Sequence, residues 1–414
     1  METSKFLADF GKFGINLGLE RIDQLLQDLG YPQHQVPTIH VAGTNGKGSV
    51  CAFLRQILQA ADFRVGCFIS PHLIDWRERI TINGSWIEKE DFINSLARVK
   101  EVILPDQLPT QFEVITAAAW CYFAQQKVDI AVIETGLGGR LDATNVQSQP
   151  LVSVITSISM DHWQRLGNSL AAIAAEKAGI IKYKRPVVVG ELAESAKLVI
   201  AQKARDCEAE ITWVKAALAQ KGGASWQGLE YQLGLLGKHQ LINSALAIAT
   251  IQVLQSQGWQ IPEMAIKTGL ANTKWLGRLQ NLKYNGREIW LDGAHNLAAA
   301  EALRDFFDQS FSLVPRFWVI GILETKDWQG MLKSLLQPGD RLYAVPVPEH
   351  QTCDPQVLAA YAEAILGQNS KSFTTWQEGL NLALADCDST NPVILCGSLY
   401  LVGACLQSQE FQYE

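Results

Sequence analysis

Short runs that are apolar, several of them on both faces, alternate along this chain with longer segments whose apolar positions recur every three or four residues. The runs Thr38–Ala42, Arg64–Ile69, Asp129–Glu134, Leu151–Ile158 and Pro186–Gly190 have the character of buried parallel strands. Segments between them, such as Glu113–Gln126 and Asn168–Ala178, carry helical periodicity. This alternation predicts an α/β fold, a mostly parallel sheet flanked by helices. Residues 205–238 break the pattern: they are rich in Ala, Gln and Gly, and the alternation in Leu229–Leu235 predicts a small β excursion before a helix over Leu241–Ser256. A second α/β series follows Gly277, with strands expected at Glu288–Asp292, Arg316–Ile322, Arg341–Val347 and Pro392–Cys396. At 414 residues the chain is expected to form two domains, because single cores stop growing near ~250–300 residues. The boundary is placed near Gly277–Asn281, giving domains 1–277 and 278–414.

The first strand runs into Gly43-Thr44-Asn45-Gly46-Lys47-Gly48-Ser49, after which Val50, Phe53, Leu54, Ile57 and Leu58 share one helical face. A strand, a glycine turn and a helix in that order bring bare backbone N–H groups and the positive end of a helix to one point, which suits phosphate. Lys47 can reach terminal phosphates and the Ser49 hydroxyl can ligate Mg²⁺. Gly48 separates Lys47 from Ser49, so the usual Gly-Lys-Ser/Thr spacing is not met literally. A plain tight turn is the competing reading.

Further polar groups fall at strand ends. Glu134 closes the run Val128–Glu134. It is placed either to help hold Mg²⁺ or to cap the next loop. That loop, 135–145, gathers three glycines with Arg140, Asp142, Thr144 and Asn145, a composition suited to folding around an anionic ligand. Asp161 and His162 follow the next strand, His162 being either a metal ligand or a polar loop residue. Lys177 falls four residues after Ile173, on the apolar face of its helix. Desolvation there would favour a neutral amine able to form a carbamate with CO₂; the alternative is a snorkelling lysine that complements the helix dipole before Gly179. In the second half, Asp292, His295 and Asn296 are grouped after a strand, Arg278 lies near the boundary, and Asn243 sits on the Leu241 helix, within range of a base or ribose.

Composition narrows the function classes. A net charge of −7 argues against a large nucleic-acid footprint, and the 12 Trp do not interleave with basic runs. No run approaches the ~18 apolar residues of a membrane span. Met1–Leu7 lacks the basic start and long apolar stretch of a secretory leader. The 8 Cys show no CxxC spacing and several lie in apolar segments, so buried free thiols in a reducing cytoplasm are expected.

Taken together, the ordered motifs resemble the folylpolyglutamate synthase/dihydrofolate synthase family of the Mur ligase superfamily over nearly the whole chain. They are Gly43–Ser49, Ser70-Pro-His-Leu73 with Glu78-Arg-Ile80, Glu134–Asn145, Asp161-His162, Glu176–Lys182, Gly237–Gln240 with Asn243, Gly277-Arg-Leu279, Leu291–Asn296, Lys326-Asp327 and Gly397–Tyr400. The resemblance implies an N-terminal P-loop domain (1–277) that binds ATP and a smaller Rossmann-like domain (278–414) serving glutamate ligation. It implies that Thr44, Asn45, Gly46, Lys47, Gly48 and Ser49 bind the ATP phosphates. Ser49 and Glu134 would hold one Mg²⁺; Glu134, His162 and a carbamylated Lys177 would hold a second. Asn243, Arg278 and Asp292 match nucleotide contacts, and His295 matches a position where the domains meet over the reaction. Ser70, His72 and Arg79 on one side, with Arg140 and Asp142 on the other, would flank a pterin substrate. Leu297 stands where the family often has Pro, and Thr325 where it often has Asp.

The implied activity is ATP-dependent addition of L-glutamate to dihydropteroate, to reduced folates or to both, through an acyl phosphate. Lys47, Lys177 and His295 are the candidate catalytic residues, and the implied state is a cytoplasmic monomer acting on small molecules, without nucleic acid or membrane. A Mur ligase acting on a peptidoglycan precursor is disfavoured, since little chain precedes Gly43. An NTP-dependent switch would need the phosphate loop but not the second polar strand-end cluster.

Overall fold

The structure is a computed structural model that describes residues 17–104, 108–311, 314–388, 390–408 and 410–412. Met1–Leu7, the segment read for a leader, lies outside the described residues. The chain divides into two compact units, Met1–Gly234 with Gln240–Thr273, and Leu235–His239 with Lys274–Glu414.

In the larger unit eight strands form one sheet. They are β1 (Thr38–Ala42), β2 (Val65–Phe68), β3 (Ile80–Ile82), β4 (Ser85–Trp86), β5 (Ile130–Glu134), β6 (Val152–Ile155), β7 (Val187–Val189) and β8 (Ile211–Trp213). Their order is β4-β3-β2-β5-β1-β6-β7-β8. The six strands from β2 to β8 in that order are parallel, and β3 and β4 add an antiparallel edge. Val41 pairs with Glu134 on one side and Val154 on the other, so the loops after β5, β1 and β6 leave the sheet side by side. The chain moves from β1 to one flank at β2 and, after β5, to the other flank at β6. Such a reversal opens the crevice in which parallel α/β sheets bind ligands.

The central strands are buried on both faces, as their uninterrupted apolar character requires. The helix Lys47–Ala60 is buried at Val50, Phe53, Leu54, Ile57 and Leu58, the face read from periodicity. The helix Glu263–Asn272 packs so closely on it that a Cβ at Gly269 would lie 2.5 Å from Ile57 Cα. β9 (Leu218–Gln220), β10 (Gly223–Trp226) and β11 (Leu229–Tyr231) make a separate antiparallel sheet where the β excursion is expected, and a helix follows over His239–Ser256. β6 stops at Ile155 rather than Ile158, because Thr156–Ser159 turn to the neighbouring loop. All eight cysteines are free and all but the half-buried Cys207 are buried. Among the described residues no helix is long and apolar enough to cross a membrane.

The smaller unit has a seven-stranded sheet. Its strands are β12 (Gln280–Tyr284), β13 (Arg287–Leu291), β14 (Phe317–Ile320), β15 (Arg341–Ala344), β16 (Ser370–Ser372), β17 (Val393–Cys396) and β18 (Phe411–Gln412), in the order β16-β15-β14-β17-β13-β12-β18. β13 to β17 are mutually parallel, and β12 runs antiparallel between β13 and β18. β12 falls in the stretch read as a domain boundary. Its alternating polar sequence suits a strand with one half-exposed face.

The buried Asp340 ties the amino edge of this sheet together. It accepts from the Arg304 guanidinium, from Arg316 N at 3.0 Å, from Gln337 N at 3.1 Å and from Trp318 Nε1 at 3.2 Å. Removing one partner leaves a buried charge uncompensated. Asp340→Ala is therefore expected to lower stability by about 3–5 kcal/mol, read as a shifted denaturation midpoint of the second unit; a shift below about 1 kcal/mol would contradict the role assigned to Asp340.

Candidate active site

Three loops meet at the carboxyl ends of β5, β1 and β6. After β1, Gly43 has no room for a side chain: a Cβ would lie 1.8 Å from Thr156 Oγ1. Gly46 has a left-handed backbone (φ 86°), and a Cβ there would meet Asn243 Oδ1 at 2.4 Å. The helix begins at Lys47 with no side-chain cap, so its first N–H groups remain directed at the loop.

The loop is strapped from the far side by residues after β6 that sequence reading did not single out. Thr44 N donates to Ser157 O at 2.7 Å, and Asn45 N donates to Ser157 Oγ at 3.0 Å. Asn45 O accepts from Thr156 Oγ1 at 2.7 Å and from Ser157 Oγ at 3.0 Å. Ser159 N donates to Thr44 Oγ1 at 3.1 Å. Their signal in the sequence was the hydroxyl-rich Thr156-Ser-Ile-Ser159, which apolar patterning absorbed into a strand. Ser157→Ala removes two of these bonds and is expected to weaken nucleotide binding about tenfold, with the thermal midpoint nearly unchanged. Titration with ATP and with its nonhydrolysable analogue checks this; unaltered affinity would show that the strap does not set the loop.

Two amines converge on one carbonyl. Lys47 Nζ donates to Gly43 O at 3.1 Å and Thr44 O at 3.2 Å, and lies 3.9 Å from Glu134 Oε1. Lys177 Nζ donates to the same Gly43 O at 2.8 Å. Lys177 is only 4% exposed, which excludes the snorkelling alternative. Burial, then the nearby Lys47, brings its pKa down to about 7, with Asp161 and Asp142 opposing. Glu134 is buried and accepts from Ser70 N at 3.3 Å. Ser49 is buried in the first helical turn, its hydroxyl accepting from Gln240 Nε2 at 3.3 Å; Gln240 in turn accepts from Asn243 Nδ2 at 3.0 Å. Asn243 thus lies against the Gly43–Ser49 turn rather than standing apart from it.

Among the described residues no three His, Cys, Asp or Glu side chains are grouped to hold a metal. The chemistry of the donors nonetheless fits Mg²⁺: the Glu134 carboxylate and Ser49 hydroxyl are hard oxygen ligands beside a phosphate cradle, and Mg²⁺ usually takes few protein ligands. His162 has a left-handed backbone (φ 50°) at the start of the short helix Trp163–Leu166, with Nε2 3.9 Å from Asp161 Oδ1.

The loop 135–145 is anchored more than it is open. Asp142 is buried, accepting from Leu137 N at 2.7 Å, Thr144 N at 3.0 Å and Thr144 Oγ1 at 2.6 Å, while burial raises its pKa. Thr144 Oγ1 also bonds His40 Nε2 at 2.9 Å, and His40 is buried with its pKa brought down to about 3 by desolvation and then Lys182. Arg140 pairs with Glu176 at 2.8 Å on the surface, and Asn145 Nδ2 donates to Arg140 O and Gly179 O. Facing β2's end, Ser70, His72 and Arg79 lie in one turn, with Arg79 Nε donating to His72 Nδ1 at 2.8 Å.

In the smaller unit, Asp292 follows β13 and accepts from Leu279 N and Ala294 N, both at 2.8 Å. His295 Nδ1 is 2.8 Å from Gly293 O, and Arg278 lies against Gly293, where a Cβ would meet Nη1 at 2.5 Å. Leu297 does not disturb the next helix, because Asn296 Oδ1 caps it by accepting from Ala299 N at 3.0 Å. After Thr325, Asp327 caps the helix Trp328–Leu335.

Comparison with known proteins agrees with this geometry. Residues 41–251 match the Mur ligase middle domain, and residues 276–408 match the dihydrofolate synthetase C-terminal domain. The dihydrofolate synthase/folylpolyglutamate synthase of Bacillus subtilis is 36% identical over 415 residues, covering 94% of each chain. The folylpolyglutamate synthase of Lacticaseibacillus casei is 35% identical over 431 residues, covering 98% of each. Mycobacterium tuberculosis folylpolyglutamate synthase complexed with ADP and AMPPCP superposes with a TM-score of 0.88 at 30% identity, covering 98% of this chain and 96% of that one. E. coli FolC in complex with DHPP and ADP gives 0.85 at 30% identity, again covering 98% and 96%. From the matched domains, the identity along its whole length and the strand-end site, the chain belongs to the folylpolyglutamate synthase/dihydrofolate synthase family of Mur ligases, a family of ATP-dependent ligases.

Proposed function

We propose that this chain uses ATP to join L-glutamate to dihydropteroate, to a reduced folate, or to both. The observation that carries the reading is the convergence of the Gly43–Ser49 loop, Lys47, Lys177 and Glu134 at three adjacent strand ends. A carboxylate is a poor electrophile. An acceptor carboxylate oxygen attacks the γ-phosphorus, the bond to the β-bridging oxygen breaks, and ADP departs, leaving an acyl phosphate. The α-amino nitrogen of glutamate then attacks the acyl carbon; the C–O bond to phosphate breaks and the nitrogen loses a proton.

The loop amides and Lys47 hold and neutralise the phosphates in this reading. Ser49 and Glu134 would hold one Mg²⁺, and Glu134, His162 and Lys177 a second; bound there, the ions offset charge on the phosphoryl oxygens. Two amines are directed at one carbonyl, and burial brings the pKa of one of them, Lys177, down to about 7. Its neutral amine can attack CO₂, forming an N–C bond and releasing one proton to give a carbamate. Asn243 in the larger unit, and Arg278, Asp292 and His295 in the smaller, complete the proposed nucleotide and reaction residues, with domains 1–277 for ATP and 278–414 for glutamate ligation. The same reading has the chain act as a cytoplasmic monomer on small molecules, and the net charge of −7 fits the absence of a nucleic-acid partner.

The test is ATP turnover with Mg²⁺ and L-glutamate, comparing dihydropteroate, tetrahydrofolate and no acceptor, with products followed by mass. One or two acceptors gaining a glutamate residue supports the reading and names the step; ATP hydrolysis indifferent to glutamate and acceptor would replace it with a nucleotide switch.

A further inference from the structure

Gln240 lies in the first turn of the helix His239–Ser256 with none of its surface exposed. A buried carboxamide is costly unless its two ends are bonded, and leucine would fill the place without that cost. Both ends are used. Oε1 accepts from Asn243 Nδ2 at 3.0 Å, and Nε2 donates to Ser49 Oγ at 3.3 Å.

The direction of this chain of bonds is fixed. Turning the Gln240 amide over would set its NH₂ against that of Asn243, two donors with no acceptor between them. Asn243 can stand so close to the turn only because Gly46 has no side chain, since a Cβ there would lie 2.4 Å from Asn243 Oδ1. Asn243, Gln240 and Ser49 are each at most 4% exposed, so water does not compete for these bonds.

A serine hydroxyl offers two lone pairs and one proton. The Gln240 N–H occupies one lone pair, which holds the Ser49 side chain in one rotamer and leaves the other lone pair on the side away from Gln240. We propose that Gln240 is a positioning residue for the metal, an inference that rests on Ser49 holding Mg²⁺ in an ATP-dependent ligase. Its N–H presets Ser49 Oγ as a ligand to the Mg²⁺ that accompanies ATP, and its carbonyl ties that ligand to Asn243. With no surface of its own exposed, Gln240 acts through these neighbours rather than by contact with a ligand.

Calorimetry with the nonhydrolysable ATP analogue reads this without turnover. The quantity is the Mg²⁺ gain, the Kd in EDTA divided by the Kd with Mg²⁺. Gln240→Met keeps the length of the side chain and removes the donor. It should lower the gain about tenfold. Any effect passed on through Asn243 or through packing weakens both arms alike and cancels in the ratio. In a Ser49→Ala background the same change should lower the gain by less than about twofold, because the residue it acts through is gone. In the ligand-free protein the thermal-midpoint shifts of the two variants should combine to clearly less than their sum. An unchanged gain in Gln240→Met, an equal loss in the Ser49→Ala background, or additive thermal shifts each overturn the inference. A native chain whose affinity gains nothing from Mg²⁺ overturns it together with the Mg²⁺ site. A chain that shows the gain and its dependence on Gln240, yet adds glutamate to no pterin or folate acceptor, fails the functional reading alone.

Discussion

Lys177→Met should lose about 10³-fold in turnover and yet be more stable than the native protein near pH 7. The amine is buried with its pKa held at about 7, against 10.5 for an ordinary lysine. Between those two values the unfolded chain binds the proton and the folded chain does not, so stability rises with pH across that window. The burial penalty is fully present below pH 7 and gone above about 10.5. Met is close in length and carries no charge, and Gly43 O keeps the bond from Lys47. The gain in thermal midpoint should therefore be largest near pH 7 and shrink as the pH rises, in bicarbonate-free buffer. Added bicarbonate should raise the activity of the native chain and leave the variant unchanged. A midpoint at pH 7 no higher than native would contradict the strained-cation reading, and native turnover in the variant would sink the carbamate.

Lys47→Ala should be nearly as damaging to turnover, about 10³-fold, for a different reason. Its ammonium group rests on Gly43 O and Thr44 O at the mouth of the loop, the position from which it would reach terminal phosphates in the proposed reaction. Alanine leaves the loop folded, because the straps from Thr156, Ser157 and Ser159 do not involve the lysine side chain. The expected pattern is a collapse of kcat with little change in the KM of the acceptor or in thermal midpoint. Retention of more than about a tenth of kcat would show that Lys47 does not stabilise the transferring phosphoryl group. Lys47 and Lys177 share a carbonyl, so the double variant should fall well short of the product of the two losses.

Much of this was legible in the chain itself. Parallel strands buried on both faces read as continuous apolar runs, and β1, β5, β7 and β17 stand within a residue or two of where patterning put them. The glycine turn after β1 was equally plain, because glycine at positions 43 and 46 is demanded by backbone shape and by lack of space, constraints that leave a local signature. Polar strand ends marked Glu134 and Asp292 because a buried carboxylate that closes an apolar run must find partners there.

What the sequence left open concerns partners far apart along the chain. Whether Lys177 snorkels or is buried depends on Gly43, 134 residues away, and only the fold brings that carbonyl to 2.8 Å. The grip of Ser157 on Asn45 and of Gln240 on Ser49 spans 112 and 191 residues. Asp142 looked like a ligand contact, yet three of its bonds go to its own loop, and Arg140 pairs with Glu176. Periodicity and local stereochemistry act over a few residues, so they determined the strands, the helices and the glycine turn after β1; burial, proton affinity and hydrogen-bond partners are properties of what lies across space, and only the tertiary structure decided them.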